Sequence, residues 1–246
     1  MNWLADPPIS QLLWLPGIPG SSKTSLAALA IDHLERQFTQ PDVGIAYIFC
    51  DYKDAAQTSE SLKRVILRQL LHRLDQLPRE VEKLYQVHAR KSTDPSAGEL
   101  DDALFLTVCQ FSRIFLVIDA LDEASGMNGV RESLLNFCKD SSPNIQSLIT
   151  SRWIGEFKKD IEQSKYIEVS AQDQDITAYL HHEIKSRSRL RAFVQKEPAF
   201  QHEMVSTILK NCKGMFLVAL LHIESLAGKA HLRAAKLALE HARQQA

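Results

Sequence analysis

The run Leu12-Leu13-Trp14-Leu15-Pro16-Gly17-Ile18-Pro19-Gly20-Ser21-Ser22-Lys23-Thr24 departs by one residue from a loop that holds phosphate. An apolar strand, a Gly/Pro/Ser turn and a helical pattern follow one another, an order that aims backbone N–H groups at an anion on a helix N-terminus. Measured against G-x-x-x-x-G-K-[ST], the second glycine alone is missing, replaced by Ser22. Gly17, Ile18, Pro19, Gly20, Ser21, Ser22, Lys23, Thr24 and Ser25 are therefore the candidate nucleotide-binding residues. Lys23 would meet the outer phosphates as a point charge, and Thr24 would hold Mg²⁺. Glycine before the lysine lets backbone lie against phosphate, whereas the Ser22 side chain must crowd the nucleotide or push the loop aside. An uncompensated clash of ~2–3 kcal/mol would weaken binding roughly 30- to 150-fold.

A second stretch supplies acids. Ile114-Phe115-Leu116-Val117-Ile118-Asp119 reads as a buried strand ending in a carboxylate, at the edge where open α/β sheets bind ligands. Asp119 is the candidate Mg²⁺ carboxylate beside Thr24. Asp122 and Glu123 follow, and one of them, preferably Glu123, would polarise an attacking water in phosphoryl transfer. Arg152, directly after the strand Ile145–Thr150, would neutralise a terminal phosphate. The competing readings are a turn-capping surface carboxylate for Asp119, a solvated loop or N-cap for Asp122 and Glu123, and a salt bridge for Arg152.

These residues need a scaffold. Strands are expected at 11–15, 43–50, 114–119, 145–150 and 166–169, alternating with helices at 24–38, 58–74, 78–90, 99–111 and 130–139. Alternation with strands apolar on both faces implies a parallel sheet with helices on both faces. Beyond about 171 only helices are expected, at 173–187, 199–211, 214–227 and 230–245, with Gly214 and Gly228 as breaks. The expected division is an α/β domain over 1–171 and an all-helical domain over 172–246.

Across 246 residues, 29 basic and 30 acidic side chains give a net charge of −1. That balance offers no basic field for nucleic acid. Four scattered cysteines without C-x-x-C indicate reduced thiols rather than disulfides or metal. Asp6-Pro7-Pro8 interrupts any leader pattern, and no apolar run reaches the ~18–20 residues that span a bilayer. A cytoplasmic chain with no membrane partner is expected. His181-His182 lacks metal-ligand spacing, and His72, His88 and His222 read as isolated. The run Arg187–Arg191 reads as a solvated helix end.

Taken together, Gly17-x-Pro19-Gly20-Ser21-x-Lys23-Thr24, Tyr47-Ile48-Phe49-Cys50-Asp51-Tyr52-Lys53-Asp54, Asp119-Ala120-Leu121-Asp122-Glu123 and Thr150-Ser151-Arg152 resemble the NACHT NTPases of fungal NOD-like receptors, within the STAND class of P-loop signalling ATPases. Asp175-Ile176-x-x-Tyr179-Leu180 and Gly214-Met215-Phe216-Leu217 are similar to that family's helical region. The most specific element is the strand end in which the paired acids stand apart from the Mg²⁺ carboxylate. The resemblance implies a P-loop NTPase fold, ATP or GTP with Mg²⁺, closed and open states, and self-association on activation. It also implies effector and repeat domains in a longer parent, so the chain is expected to be an excised central module or a shortened gene product. The leading expectation is a nucleotide-controlled signalling switch that hydrolyses slowly, if at all, to reset itself. The alternative is a degenerate NTPase fold, a non-catalytic scaffold because Ser22 blocks the loop. A small-molecule kinase would need an acceptor pocket and lid that the helical C-terminus does not resemble.

Overall fold

The computed structural model describes residues 2–4, 11–126, 129–140, 144–153 and 165–244; Asp6-Pro7-Pro8 lies outside them. Two compact units divide the chain. One comprises Met1–Pro16 and Lys23–Glu168, the other Gly17–Ser22 and Val169–Ala246. The second unit thus takes in the loop that the motif singled out.

In the first unit, β1 (Leu12–Pro16), β2 (Val43–Phe49), β3 (Arg113–Asp119), β4 (Ile145–Ser151) and β5 (Lys165–Tyr166) form one parallel sheet in the order β2-β3-β4-β1-β5. The helices are α1 (Lys23–Gln37), α2 (Ser59–Leu71), α3 (Arg79–Lys91), α4 (Ala97–Val108) and α5 (Val130–Asp140). The β1–β2 connection runs across the sheet in one direction and all later connections run in the other. Right-handed crossovers therefore place α1 on one face and α2, α4 and α5 on the other.

Alternation along β3 shows both faces being used. Ile114, Leu116 and Ile118 join Leu62, Ile66 and Leu70 of α2, Leu104 and Val108 of α4, and Leu134 and Leu135 of α5 in one buried cluster. Phe115, on the opposite face, meets Phe38 at 4.7 Å and Trp3 at 5.6 Å between ring centroids, with the Arg113 guanidinium 4.5 Å over its ring. Sheet and helices thereby hold the carboxyl ends of the strands, where the candidate acids lie.

Helix boundaries follow local capping. Thr58 and Ser61 form a capping box at the start of α2, and Ser96 and Glu99 form another at α4. That second box starts α4 at Ala97, ahead of the expected 99. The helix expected to run to 74 ends at Leu71. The last expected strand is reduced to Lys165–Tyr166, with Val169 making only an isolated bridge to Gly17.

The second unit is helical: α6 (Asp173–Ser186), α7 (Ser188–Lys196), α8 (Ala199–Cys212), α9 (Phe216–Ala227) and α10 (Leu232–Gln244). α7 is an addition to the expected set, since Arg187–Arg191 spans a break and starts a new helix. Extended backbone at Arg187 (ψ 113) separates α6 from α7, and Leu190 and Phe193 anchor α7 in the core. Fully buried Ile176, Leu180, Phe200, Met204, Cys212, Ala219 and Ile223 form the centre of this unit.

Candidate functional site

β1 and β4 are neighbours, in register from Leu12↔Ser147 to Pro16↔Ser151, and the strands that follow them in sequence, β2 and β5, lie on opposite sides of this pair in the sheet. Such a reversal opens a crevice at the carboxyl ends of the strands. Asp119 closes β3 and Thr150 lies near the end of β4, both essentially buried. Thr150 Oγ1 donates to Asp119 Oδ1 at 2.5 Å and accepts from the Ala120 N–H at 2.9 Å. Asp119 is therefore a built-in carboxylate rather than a solvated turn cap.

After Asp119 the chain turns abruptly. Ala120 adopts φ +54, a left-handed conformation unusual for a residue with a Cβ. A 3₁₀ turn over Leu121–Gly126 follows, started by Glu123 N–H donating to Ala120 O at 2.8 Å. Asp122 is buried, and Glu123 is partly exposed. Arg152 donates from its backbone N–H to Asp122 Oδ1 at 3.0 Å and from Nε to Oδ2 at 2.5 Å. The salt-bridge reading of Arg152 is the arrangement seen, and it raises the guanidinium's pKa chiefly through the hydrogen bond to Asp122.

Lys23, the first residue of α1, lies within electrostatic reach of this cluster. Burial pushes its ammonium below the usual lysine value, while Asp122 and Asp119 pull it upward and Arg152 adds to the lowering. Lys23 and Asp119, more than ninety positions apart in sequence, thus face one electrostatic environment. Thr24 and Ser25 in the same first turn are exposed. Cys50, just past β2, donates its N–H to Asp119 O at 3.0 Å. Its thiol is pushed up to about 12 by burial, with Asp119, Asp122 and Glu123 adding to the effect.

The loop Gly17–Ser22 has its own geometry. Gly17 bridges Val169 in parallel, and a Cβ on it would sit 2.4 Å from Val169 O. Gly20 has φ +73, and a Cβ there would come within 2.7 Å of Leu217 Cβ. Its carbonyl accepts the Leu217 N–H at 3.2 Å, at the start of α9. Ser21 N–H donates to Ile18 O at 3.3 Å, and the Ser21 hydroxyl is buried without a hydrogen-bond partner among the described residues. Ser22 holds φ +69. The loop has kept the backbone that glycine would take, so the serine side chain is accommodated with its Cβ in the left-handed region. Ile18 is half-buried and Pro19 exposed.

Of the other residues singled out in the sequence, Trp14 is core, with its Nε1–H donating to Ser151 Oγ at 2.8 Å. His88 is packed and partnered by Thr93 and Glu99 rather than isolated. His181 pairs with Gln201. Tyr179 and Phe216 make an edge-on ring contact at 5.9 Å, and Gly214, at φ +80, accepts the Ala171 N–H. Among the described residues no group of three or more His, Cys, Asp or Glu could hold a metal, and no helix is long and apolar enough to cross a membrane. Thr150 is the site residue to which sequence reasoning gave no role. It stood in the quoted Thr-Ser-Arg stretch, but a hydroxyl's partner across two strands leaves no trace in spacing.

Residues 1–152 match the family described as Nephrocystin 3, N-terminal. No curated protein matches the chain. Among solved structures, the fold is similar to the Aeropyrum pernix ORC2 protein in its ADPNP–ADP complexes (TM-score 0.57, 12% identity, 96% of this chain and 63% of that one). It is also similar to the Aeropyrum pernix ORC1 protein in complex with DNA (0.54, 14%, 97% and 59%) and to Drosophila ORC bound to DNA (0.53, 13%, 96% and 62%). The chain spans about three-fifths of the length of these proteins. The likeness establishes a P-loop NTPase fold with a helical C-terminal part.

Proposed function

We infer, for a chain that belongs to the Nephrocystin 3 N-terminal family, that it is a Mg²⁺-nucleotide-binding module working as a switch. The observation that carries this reading is the placing of Lys23 within electrostatic reach of buried Asp119 and Asp122, directly after a loop in sequence that keeps left-handed backbone at Gly20 and Ser22. A half-buried ammonium held below its usual pKa is a group that an arriving polyphosphate would stabilise. Gly17–Ser25 would surround the phosphates, with Lys23 against the outer ones, and Thr24 and Asp119 would hold Mg²⁺. The bound ion would neutralise phosphate charge and polarise the terminal phosphoryl group. ATP or GTP is the ligand class, and the ADPNP–ADP complexes of the similar ORC2 protein support it.

The residues of this chain divide the remaining work. Both Asp122 oxygens are engaged by Arg152, so Asp122 serves as the anchor of the arginine, and partly exposed Glu123 is the better placed to orient a water. Arg152, with its side chain 52% exposed, can still turn its outer nitrogens toward a terminal phosphate. Hydrolysis is slow and resets the switch. The NOD-like setting, fungal and cytoplasmic, with self-association on activation and effector and repeat domains in a longer parent, is carried by the motif resemblance. The net charge of −1 supports a role without nucleic acid, in contrast to the two DNA-bound ORC relatives of the fold.

Ser22 keeps a second reading in play, a scaffold that has lost its nucleotide. Melting the chain with and without Mg-ATP and Mg-GTP separates the two. Ligand at 100 times its dissociation constant adds about 2.7 kcal/mol. An unchanged melting curve up to millimolar nucleotide, restored to a shift by Ser22→Gly, supports the scaffold and identifies the serine as the cause.

A further inference from the structure

We propose that Thr150 is a positioning residue that sets the Asp119 carboxylate and the acidic turn behind it as one unit, an inference that rests on the nucleotide-binding reading. Its side chain is fully buried at the end of β4, one strand away from Asp119. A threonine hydroxyl has one hydrogen to give, and here that hydrogen goes to Asp119 Oδ1 at 2.5 Å. Thr150 Oγ1 in turn accepts the Ala120 N–H at 2.9 Å. One atom therefore fixes both the direction of the carboxylate and the peptide that leaves the strand.

The second contact matters because that peptide leads into an unfavourable conformation. Ala120 sits at φ +54, a conformation that is costly for an L-residue, so the turn persists only if its surroundings enforce it. The hydrogen bond from Ala120 N–H to Thr150 supplies part of that enforcement. The turn then delivers Asp122 to Arg152, and Arg152 lies two residues after Thr150 on the same chain. From the other side, the Cys50 N–H holds the Asp119 carbonyl at 3.0 Å. The strand end is pinned from both neighbours, and only the pin from Thr150 reaches the carboxylate. Among the described residues no hydrogen bond takes Asp119 Oδ2, so the hydroxyl on Oδ1 decides where the remaining oxygen is presented.

Outer-shell partners of metal-binding carboxylates are typically worth 10- to 100-fold in metal affinity. The test titrates Mg²⁺ into the full chain with a saturating fluorescent ATP analogue, and separately measures analogue affinity in EDTA. Thr150→Val keeps the shape and removes both hydrogen bonds. It should raise the Mg²⁺ midpoint roughly 10- to 100-fold and leave the EDTA affinity unchanged. Thr150→Ser keeps the hydroxyl and should stay within about threefold of the native midpoint, which tests the idea even if the valine variant does not fold. A folded Thr150→Val with a native Mg²⁺ midpoint, or a folded Thr150→Ser that loses its Mg²⁺ response, overturns the positioning role while nucleotide binding stands. A native chain that binds no analogue under either condition overturns the functional reading, and the positioning role falls with it.

Discussion

Arg152 grips Asp122 at both carboxylate oxygens, one through its backbone N–H and one through Nε, and the two side chains differ sharply in exposure, 52% against 3%. The acid is fixed and the arginine is a lever pivoting on it. Breaking such a pair from the exposed side strands a buried carboxylate, yet the backbone N–H of residue 152 would still satisfy one oxygen.

Arg152→Ala should therefore cost about 1–2 kcal/mol, less than the full loss of a charge-assisted bond because the guanidinium is half in water. Chemical denaturation reads this directly. If Arg152 also senses the terminal phosphate, the variant loses more affinity for nucleoside triphosphate than for diphosphate. Equal losses would leave Arg152 as a structural partner of Asp122 and nothing more.

Ser22 and Ala120 both hold left-handed backbone despite carrying a Cβ. Relief of roughly 1–2 kcal/mol at each position outweighs the ~0.5–1 kcal/mol entropic cost of introducing glycine. Ser22→Gly and Ala120→Gly should each stabilise the ligand-free chain by about 0.5–1 kcal/mol on that difference. Only Ser22→Gly, in the phosphate loop, should also tighten nucleotide binding. Titration of both variants distinguishes a loop that is merely strained from one that is also obstructed; a Ser22→Gly chain with unimproved affinity removes the obstruction.

The alternation of apolar strands and amphipathic helices was enough to read a parallel sheet, because strands such as Ile114–Ile118 bury both faces and leave little else possible. Strand order was not readable, since neighbours such as Leu15 and Thr150 are chosen by crossover direction and not by sequence proximity. The helix Ser188–Lys196 was missed because its basic start resembles a solvated end, while only Leu190 and Phe193 reach the core. At the site, charged residues were legible by type and position. What they touch was not: Glu123 is preferred over Asp122 as the base from the sequence, but nothing there shows that Arg152 takes both Asp122 oxygens, and Thr150 acts through a contact across strands.

Thiol reactivity offers a test of burial around the site. Cys50 is pushed up to about 12 and Cys212 to about 11 by burial, Cys138 is buried as well, and Cys109 is exposed. A maleimide or disulfide reagent at pH 8 should modify one thiol per folded chain, at Cys109, and all four after denaturation, since the thiolate is the reacting form. Rapid labelling of Cys50 in the native chain would contradict the packing described around Asp119.

Lys23 carries the strongest conflict between stability and function. Burial lowers its pKa in the folded chain below 10.5, its usual value. A lysine lowered in this way disfavours the folded state wherever both states are protonated, which includes neutral pH. The penalty fades as pH rises through the depressed value, because the folded state then releases the proton before the unfolded chain does. Lys23→Met removes the ammonium and keeps the aliphatic stem, so the ligand-free variant should be at least as stable as the native chain at pH 7. Its advantage should shrink as pH climbs toward 10.5. With Mg-ATP at 100 times the native dissociation constant, the native chain gains about 2.7 kcal/mol and the variant gains essentially nothing. The order of stabilities therefore reverses on adding nucleotide, and melting curves over a pH series with and without ligand show it. A variant that is markedly less stable without ligand would mean that the contacts Lys23 makes in the ligand-free chain outweigh the cost of its burial.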